Sequence, residues 1–90
     1  MLKEIKVVAI QQTGTACPSQ WVGLTEDGQT LYIRYRNGCL MVGLGANLDE
    51  AVSNDIFFLD RDMPFDGFIT LNEVSQLTGM DLKGRGSDSL

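Results

Sequence analysis

The sequence predicts an α+β fold: an antiparallel β-meander of four or five strands with one C-terminal helix packed on one face. Two turn signals carry the sheet and one set of cap signals carries the helix. Asp27-Gly28 and Asn37-Gly38 supply the positive backbone dihedrals of two-residue type I′ hairpin turns, so each joins an antiparallel pair of strands. Thr70 followed three residues later by Glu73 is a capping box, and Leu71, Val74 and Leu77 recur at helical spacing. Gly79 stands where a left-handed residue ends a helix.

Along the chain, Leu2 to Ile10 sets Ile5, Val7 and Ala9 against Lys6, Val8 and Ile10 and is rich in β-branched residues, which predicts a strand added to the meander. Gln11 to Ser19 holds Gln, Thr, Gly, Ser and Pro18 and reads as a connection. Gln20 to Gly45 is the meander itself. With two residues in each loop, Glu26 faces Gln29 and Arg36 faces Cys39. Counting outward gives core layers of Leu24, Leu31, Leu44, then Val22, Ile33, Val42, then Gln20, Tyr35, Leu40. The opposite face then carries Gly23, Tyr32, Gly43, then Trp21, Arg34, Met41, then Arg36 beside Cys39. A slip of one residue would reverse every side chain, so the register decides which residues can act together.

Ala46 to Asp55 suits one or two helical turns, with Asn47 as cap and Asp49 and Glu50 near the positive end. Ile56 to Leu59 is short, apolar and aromatic, and predicts a strand. Asp60 to Gly67 is a loop. Residues 1–80 read as a single domain and 81–90, with Gly84, Gly86, Ser87 and Ser89 and little to bury, as a disordered tail. The C-terminal helix is expected on the Leu24, Val22, Ile33 face, because leaving that face open would expose a large apolar patch.

Ninety residues support one small core, so function is expected on a surface or in a shallow groove. A net charge of −5 argues against general nucleic-acid binding, which needs a basic footprint, and Arg34 and Arg36 are the best local basic pair. No apolar run reaches the roughly 18 residues of a membrane span, and Val7 to Ile10 follows Lys6 without a cleavage site, so the expectation is a soluble, cytoplasmic protein. Cys17 and Cys39 are expected as free thiols rather than a bridge.

The residue types also weigh against catalysis. There is no histidine, which removes the commonest general base and the partner a nucleophilic cysteine needs. Two thiols are too few for a structural zinc site, and Gly43-Leu44-Gly45 lacks the remainder of any phosphate-loop motif. Cys17 and Cys39 read as ordinary thiols, and no cofactor is expected.

The favoured reading is therefore a non-enzymatic binding module. Trp21, Tyr32, Arg34 and Arg36 on one sheet face combine flat aromatic surface with guanidinium groups, which suits an anionic or planar ligand. Gly23 and Gly43 would leave both sides of the Tyr32 ring open as a slot. The plainer account of the same residues is a cross-strand cation–π pair of Trp21 and Arg34, with the glycines marking a bulge or the approach of another segment. The alternative function is a small acidic, phage-type inhibitor or protein-interaction module acting on a basic partner surface through Asp49, Glu50, Asp55, Asp60 and Asp62. A dimer formed through exposed sheet edges is compatible with either.

Two resemblances accompany these readings. Cys17-Pro18-Ser19-Gln20-Trp21, then Asp27-Gly28, then Tyr32-Ile33-Arg34-Tyr35-Arg36-Asn37-Gly38 resembles small bacterial and phage proteins with a CPxQW, DG, YxRYRxG pattern. That likeness implies the hairpins and no particular activity. Asp62 to Glu73 resembles the twelve-residue EF-hand loop. It implies a weak divalent-ion site at Asp62, Asp66, the Phe68 carbonyl and Glu73, although Pro64 stands where an oxygen ligand belongs and no entering helix precedes it. A turn at Asp66-Gly67 and a helix cap at Thr70 and Glu73 explain the same residues more simply.

Overall fold

The computed structural model describes residues 2–82. Five strands form one antiparallel sheet in the order β1-β2-β3-β4-β5: β1 Val7–Thr15, β2 Ser19–Thr25, β3 Thr30–Arg36, β4 Cys39–Gly45 and β5 Asp55–Asp60. Two helices complete it, α1 Leu48–Ser53 and α2 Leu71–Thr78. The chain is thus a small α+β protein built on a β-meander, with α2 on one face and the shorter α1 on the other.

The second hairpin follows expectation. Asn37 and Gly38 have φ of 54° and 74°, the two positive values of a type I′ turn. Pairing runs Arg36 with Cys39, Tyr35 with Leu40, Arg34 with Met41, Ile33 with Val42, Tyr32 with Gly43 and Leu31 with Leu44.

The first hairpin departs from expectation by one residue. Gly28 has φ of 88° while Asp27 stays out of the left-handed region, and Thr25 pairs with Gln29 through its amide and the Gln29 carbonyl at 2.9 Å. The Gly28 amide donates to the Thr25 carbonyl at 3.0 Å. The loop is therefore Glu26-Asp27-Gly28, a type I turn followed by a left-handed glycine, the three-residue alternative open to the same Asp-Gly pair. The Thr25 hydroxyl locks it, donating to Asp27 Oδ1 at 2.5 Å and accepting from the Gln29 amide at 2.9 Å.

One extra loop residue reverses β2 against β3. Trp21 pairs with Ile33, Val22 with Tyr32, Gly23 with Leu31 and Gln20 with Arg34. Trp21 is buried, whereas Leu24, expected in the core, is 45% exposed. Burying the largest apolar side chain of the strand outweighs leaving two smaller ones half open. The small inward residues are accommodated by hydrogen bonds. Ser19 Oγ lies 2.9 Å from the Thr15 carbonyl and 3.0 Å from the Gly67 carbonyl, and accepts from the Ile69 amide at 3.1 Å.

The core lies between this face and the C-terminal segment. Val7, Ile10, Trp21, Leu31, Ile33, Tyr35, Leu40 and Val42 cluster with Ile69, Val74, Met80 and Leu82, and Leu71 and Leu77 of α2 pack against them. The start of α2 carries the capping box, with the Glu73 amide donating to Thr70 Oγ1 at 3.1 Å and the Thr70 amide donating to Glu73 Oε1 at 3.2 Å. Gly79, with φ of 85°, ends it. Leu82 is fully buried, so packing continues past residue 80. The rest of the expected disordered tail, 83–90, lies outside the described residues.

Two further boundaries differ. Strand β1 begins at Val7 rather than Leu2 and runs to Thr15, through most of the expected connection, because Gln11, Gln12 and Gly14 pair with Val22, Trp21 and Gln20. Register shifts between Val7 and Ala9 and between Gln12 and Gly14 let this edge strand follow the twist of its neighbour.

Candidate ligand-binding groove

The reversal of β2 divides the four residues expected to share a face. Trp21 lies in the core on the side of α2. Tyr32 keeps its place on the opposite face but is buried there, together with Ala51 of α1. Arg34, half exposed, and Arg36, exposed, remain on that face and line one shallow groove with Asn37, Cys39, Met41 and Phe58.

Helix α1 covers the Tyr32 end of the face. Asn47 caps it, its side-chain oxygen accepting from the Glu50 amide at 3.0 Å, and Asp49 and Glu50 occupy the first turn. The helix approaches so closely that a Cβ on Gly43 would lie far inside contact distance of the Ala51 carbonyl oxygen. Gly43 therefore admits another segment, as the plainer sequence reading had it, and no slot opens beside Tyr32. The Asn54 side-chain amide ties the end of α1 to the Leu44 carbonyl at 2.7 Å.

Beyond α1 the face is open. Arg34 pairs across the sheet with Met41, and Met41 with Phe58 of β5, so the arginines, the thioether and the phenyl ring line one groove side by side. Phe58 is 61% exposed. Among the described residues the ion pair found is Arg61 with Glu73 at 3.9 Å, so neither Arg34 nor Arg36 has a carboxylate partner within that set. The groove encloses about 230 Å³, room for a side chain or a small planar anion rather than a large cofactor.

The sequence reading missed Phe58. Its signal was present in Asp55-Ile-Phe-Phe-Leu-Asp60, where alternation sends Phe57 and Leu59 toward the core, against which both pack, and turns Phe58 outward. Cys39 sits at the groove's end beside Asp60 of the neighbouring strand. Partial burial and then the Asp60 carboxylate raise its thiol pKa, which makes it a poor nucleophile. Cys17 and Cys39 are both free.

The loop after β5 is clamped to the Asn37-Gly38 turn. The Arg61 amide donates to the Gly38 carbonyl at 2.9 Å and the Gly38 amide to the Asp66 carbonyl at 2.7 Å. Tyr35 Oη donates to Asp66 Oδ2 at 2.6 Å, and Arg61 lies 5.7 Å from the Tyr35 ring centroid. Of the residues in the EF-hand overlay, Asp66 thus serves the clamp and Glu73 serves the cap and Arg61. Asp62 and Phe68 are exposed, and no group of three or more metal-binding side chains converges among the described residues.

Burial, and next the hydrogen bond to Asp66, push the Tyr35 phenol above its ordinary value of 10.0. A raised folded-state value means that the contribution of Tyr35 to stability is complete below pH of about 10 and is lost as pH rises through the folded value. Tyr35→Phe, which leaves the half-buried Asp66 carboxylate with only the long bond from the Phe68 amide at 3.5 Å among the described residues, is expected to lower stability by about 1–2 kcal/mol at neutral pH. Denaturation followed against pH checks both effects, since the variant's alkaline decline should be shallower.

A larger cleft of about 310 Å³ at the other end of the sheet is lined by Glu4, Ile5, Lys6, Thr25, Glu26, Asp27, Gln29 and Leu44. Its lysine stands among three carboxylates, so it has no net attraction for an anion. No helix among the described residues is long and apolar enough to cross a membrane. Comparisons with protein-family models, curated proteins and solved structures find no match to this chain.

Proposed function

We propose that this chain is a non-enzymatic, cytoplasmic binding module that holds an anionic group carrying a planar or apolar portion in the groove of Arg34, Arg36, Met41 and Phe58. The observation that carries this reading is two guanidiniums on an open face, unpaired among the described residues, in a chain of net charge −5. In an acidic protein any nearby carboxylate would lower the energy of an idle arginine. Two arginines beside apolar Met41 and Phe58 instead present a fork for phosphate or carboxylate, and Phe58 offers a ring for a base or aromatic group to stack on.

Calorimetric titration with adenosine monophosphate tests it. Arg34→Ala is expected to weaken binding about 10- to 100-fold, the worth of one charge-assisted hydrogen-bonding group, with the fold unchanged by circular dichroism. Affinity should fall with added salt. Loss of folding in Arg34→Ala would make Arg34 structural and defeat the proposal.

A second reading is favoured by the placement of the acidic residues. Asp49, Glu50, Asp55, Asp60 and Asp62 are all exposed, and Asp55 and Asp60 stand at the two ends of edge strand β5, about 17 Å apart at strand spacing. Such a flank suits docking to a basic protein surface. Docking of that kind would be insensitive to Arg34→Ala, which separates the two readings.

A further inference from the structure

The loop that follows β5 displays apolar side chains in a rigid frame. Phe65 is 97% exposed, Phe68 59% and Met63 45%. Met63–Asp66 is a closed turn, with the Asp66 amide donating to the Met63 carbonyl at 2.9 Å and Pro64 fixing the residue before Phe65. The clamp to Gly38 and Tyr35 holds that turn in place, so most of the ordering cost of presenting Phe65 to a partner is already met in the free protein.

The chemistry of this knob matches the groove. Phe65 follows the exposed carboxylates of Asp60 and Asp62 by five and three residues, and the groove combines the apolar Met41 and Phe58 with Arg34 and Arg36. Both features lie at the Asn37-Gly38 end of the sheet. Edge pairing is a poorer route to a second copy: antiparallel β5–β5 addition would set Asp55 of one chain against Asp60 of the other, and β1 is interrupted twice in its pairing. The same carboxylates disfavour an anionic lipid surface.

We propose that this chain associates with itself, the Phe65 turn of one copy entering the Arg34, Arg36, Met41, Phe58 groove of a second. The inference rests on the reading of that groove as an anion-binding site and names an acidic aromatic turn as an occupant. Reciprocal insertion closes a dimer, whereas one-way insertion builds longer chains.

Sedimentation velocity of the full chain, from micromolar to millimolar concentration, tests it. The wild type is expected to associate with concentration. Phe65→Ser, at a position with no packing to lose, is expected to weaken association about 100-fold, and Arg34→Glu should do the same. Mixing the two variants should restore a one-sided pair, because one keeps the groove and the other the knob. A wild type that stays monomeric at millimolar concentration, or association that survives Phe65→Ser, overturns the proposal. Titrating Phe65→Ser with inorganic phosphate reports on the groove alone. A monomeric wild type with a phosphate-responsive groove therefore refutes self-association without refuting the anion site, and a groove also silent to phosphate refutes both.

Discussion

Gly43→Val is expected to cost about 3 kcal/mol or more, the largest effect of any single substitution on the sheet face that α1 covers. Any Cβ at that position would overlap the Ala51 carbonyl oxygen, and backbone cannot move aside as a flexible side chain can. The helix α1 must lift, which strips Tyr32 of its cover and breaks the tie from Asn54 to Leu44. For a domain of this size the melting temperature should fall by roughly 15 °C or more. Gly28→Ala makes the contrast, since a Cβ there meets nothing within 4 Å. Its cost is the strain of a positive φ alone, about 1 kcal/mol. Thermal denaturation of the two variants separates steric exclusion from backbone conformation.

Trp21→Ala is expected to cost about 3–5 kcal/mol, the range for emptying a packed aromatic site in a core. Val22→Ala, on the half-exposed side of the same strand, should cost under about 1 kcal/mol. The order is diagnostic. A two-residue first loop would put Val22 in the core and Trp21 in solvent, and would reverse it. Chemical denaturation of both variants, with midpoints compared at equal slope, decides the matter.

That contrast marks where the sequence was legible and where it was not. Asn37-Gly38, the Asn47 cap, the Thr70 and Glu73 box and Gly79 were readable because each acts through its own backbone within a few residues. The strand expected at 56–59, observed as Asp55–Asp60, and the antiparallel meander of four or five strands followed from the same local signals, whereas the place of that strand beside β4 did not. Asp27-Gly28 was ambiguous because the pair serves both a two-residue turn and a three-residue turn with a left-handed glycine, and the choice belongs to the whole strand. Leu24 and Val22 argued for one register and Trp21 for the other, and nothing local weighs a tryptophan against two aliphatics.

The candidate site inherited that ambiguity. Arg34, Arg36 and Met41 lie on β3 and β4, whose turn was unambiguous, and the structure keeps them on one face. Trp21 lay on the misregistered strand and left the set. Tyr32 was on the correct face, but α1 returns over it through a close approach that Gly43 permits and no periodicity announces. Phe58 entered through pairing between β4 and β5, a contact set by the connection between them rather than by either strand alone.

The most direct test of the proposed site is a proton–nitrogen NMR titration of the labelled protein with adenosine monophosphate. The expected result is a set of shifts confined to Arg34, Arg36, Met41 and Phe58, with the Trp21 indole resonance unmoved because it lies on the other side of the sheet. Shifts centred on Trp21, or a spectrum unchanged at Arg34 and Arg36, would contradict the assignment of this groove as the binding face.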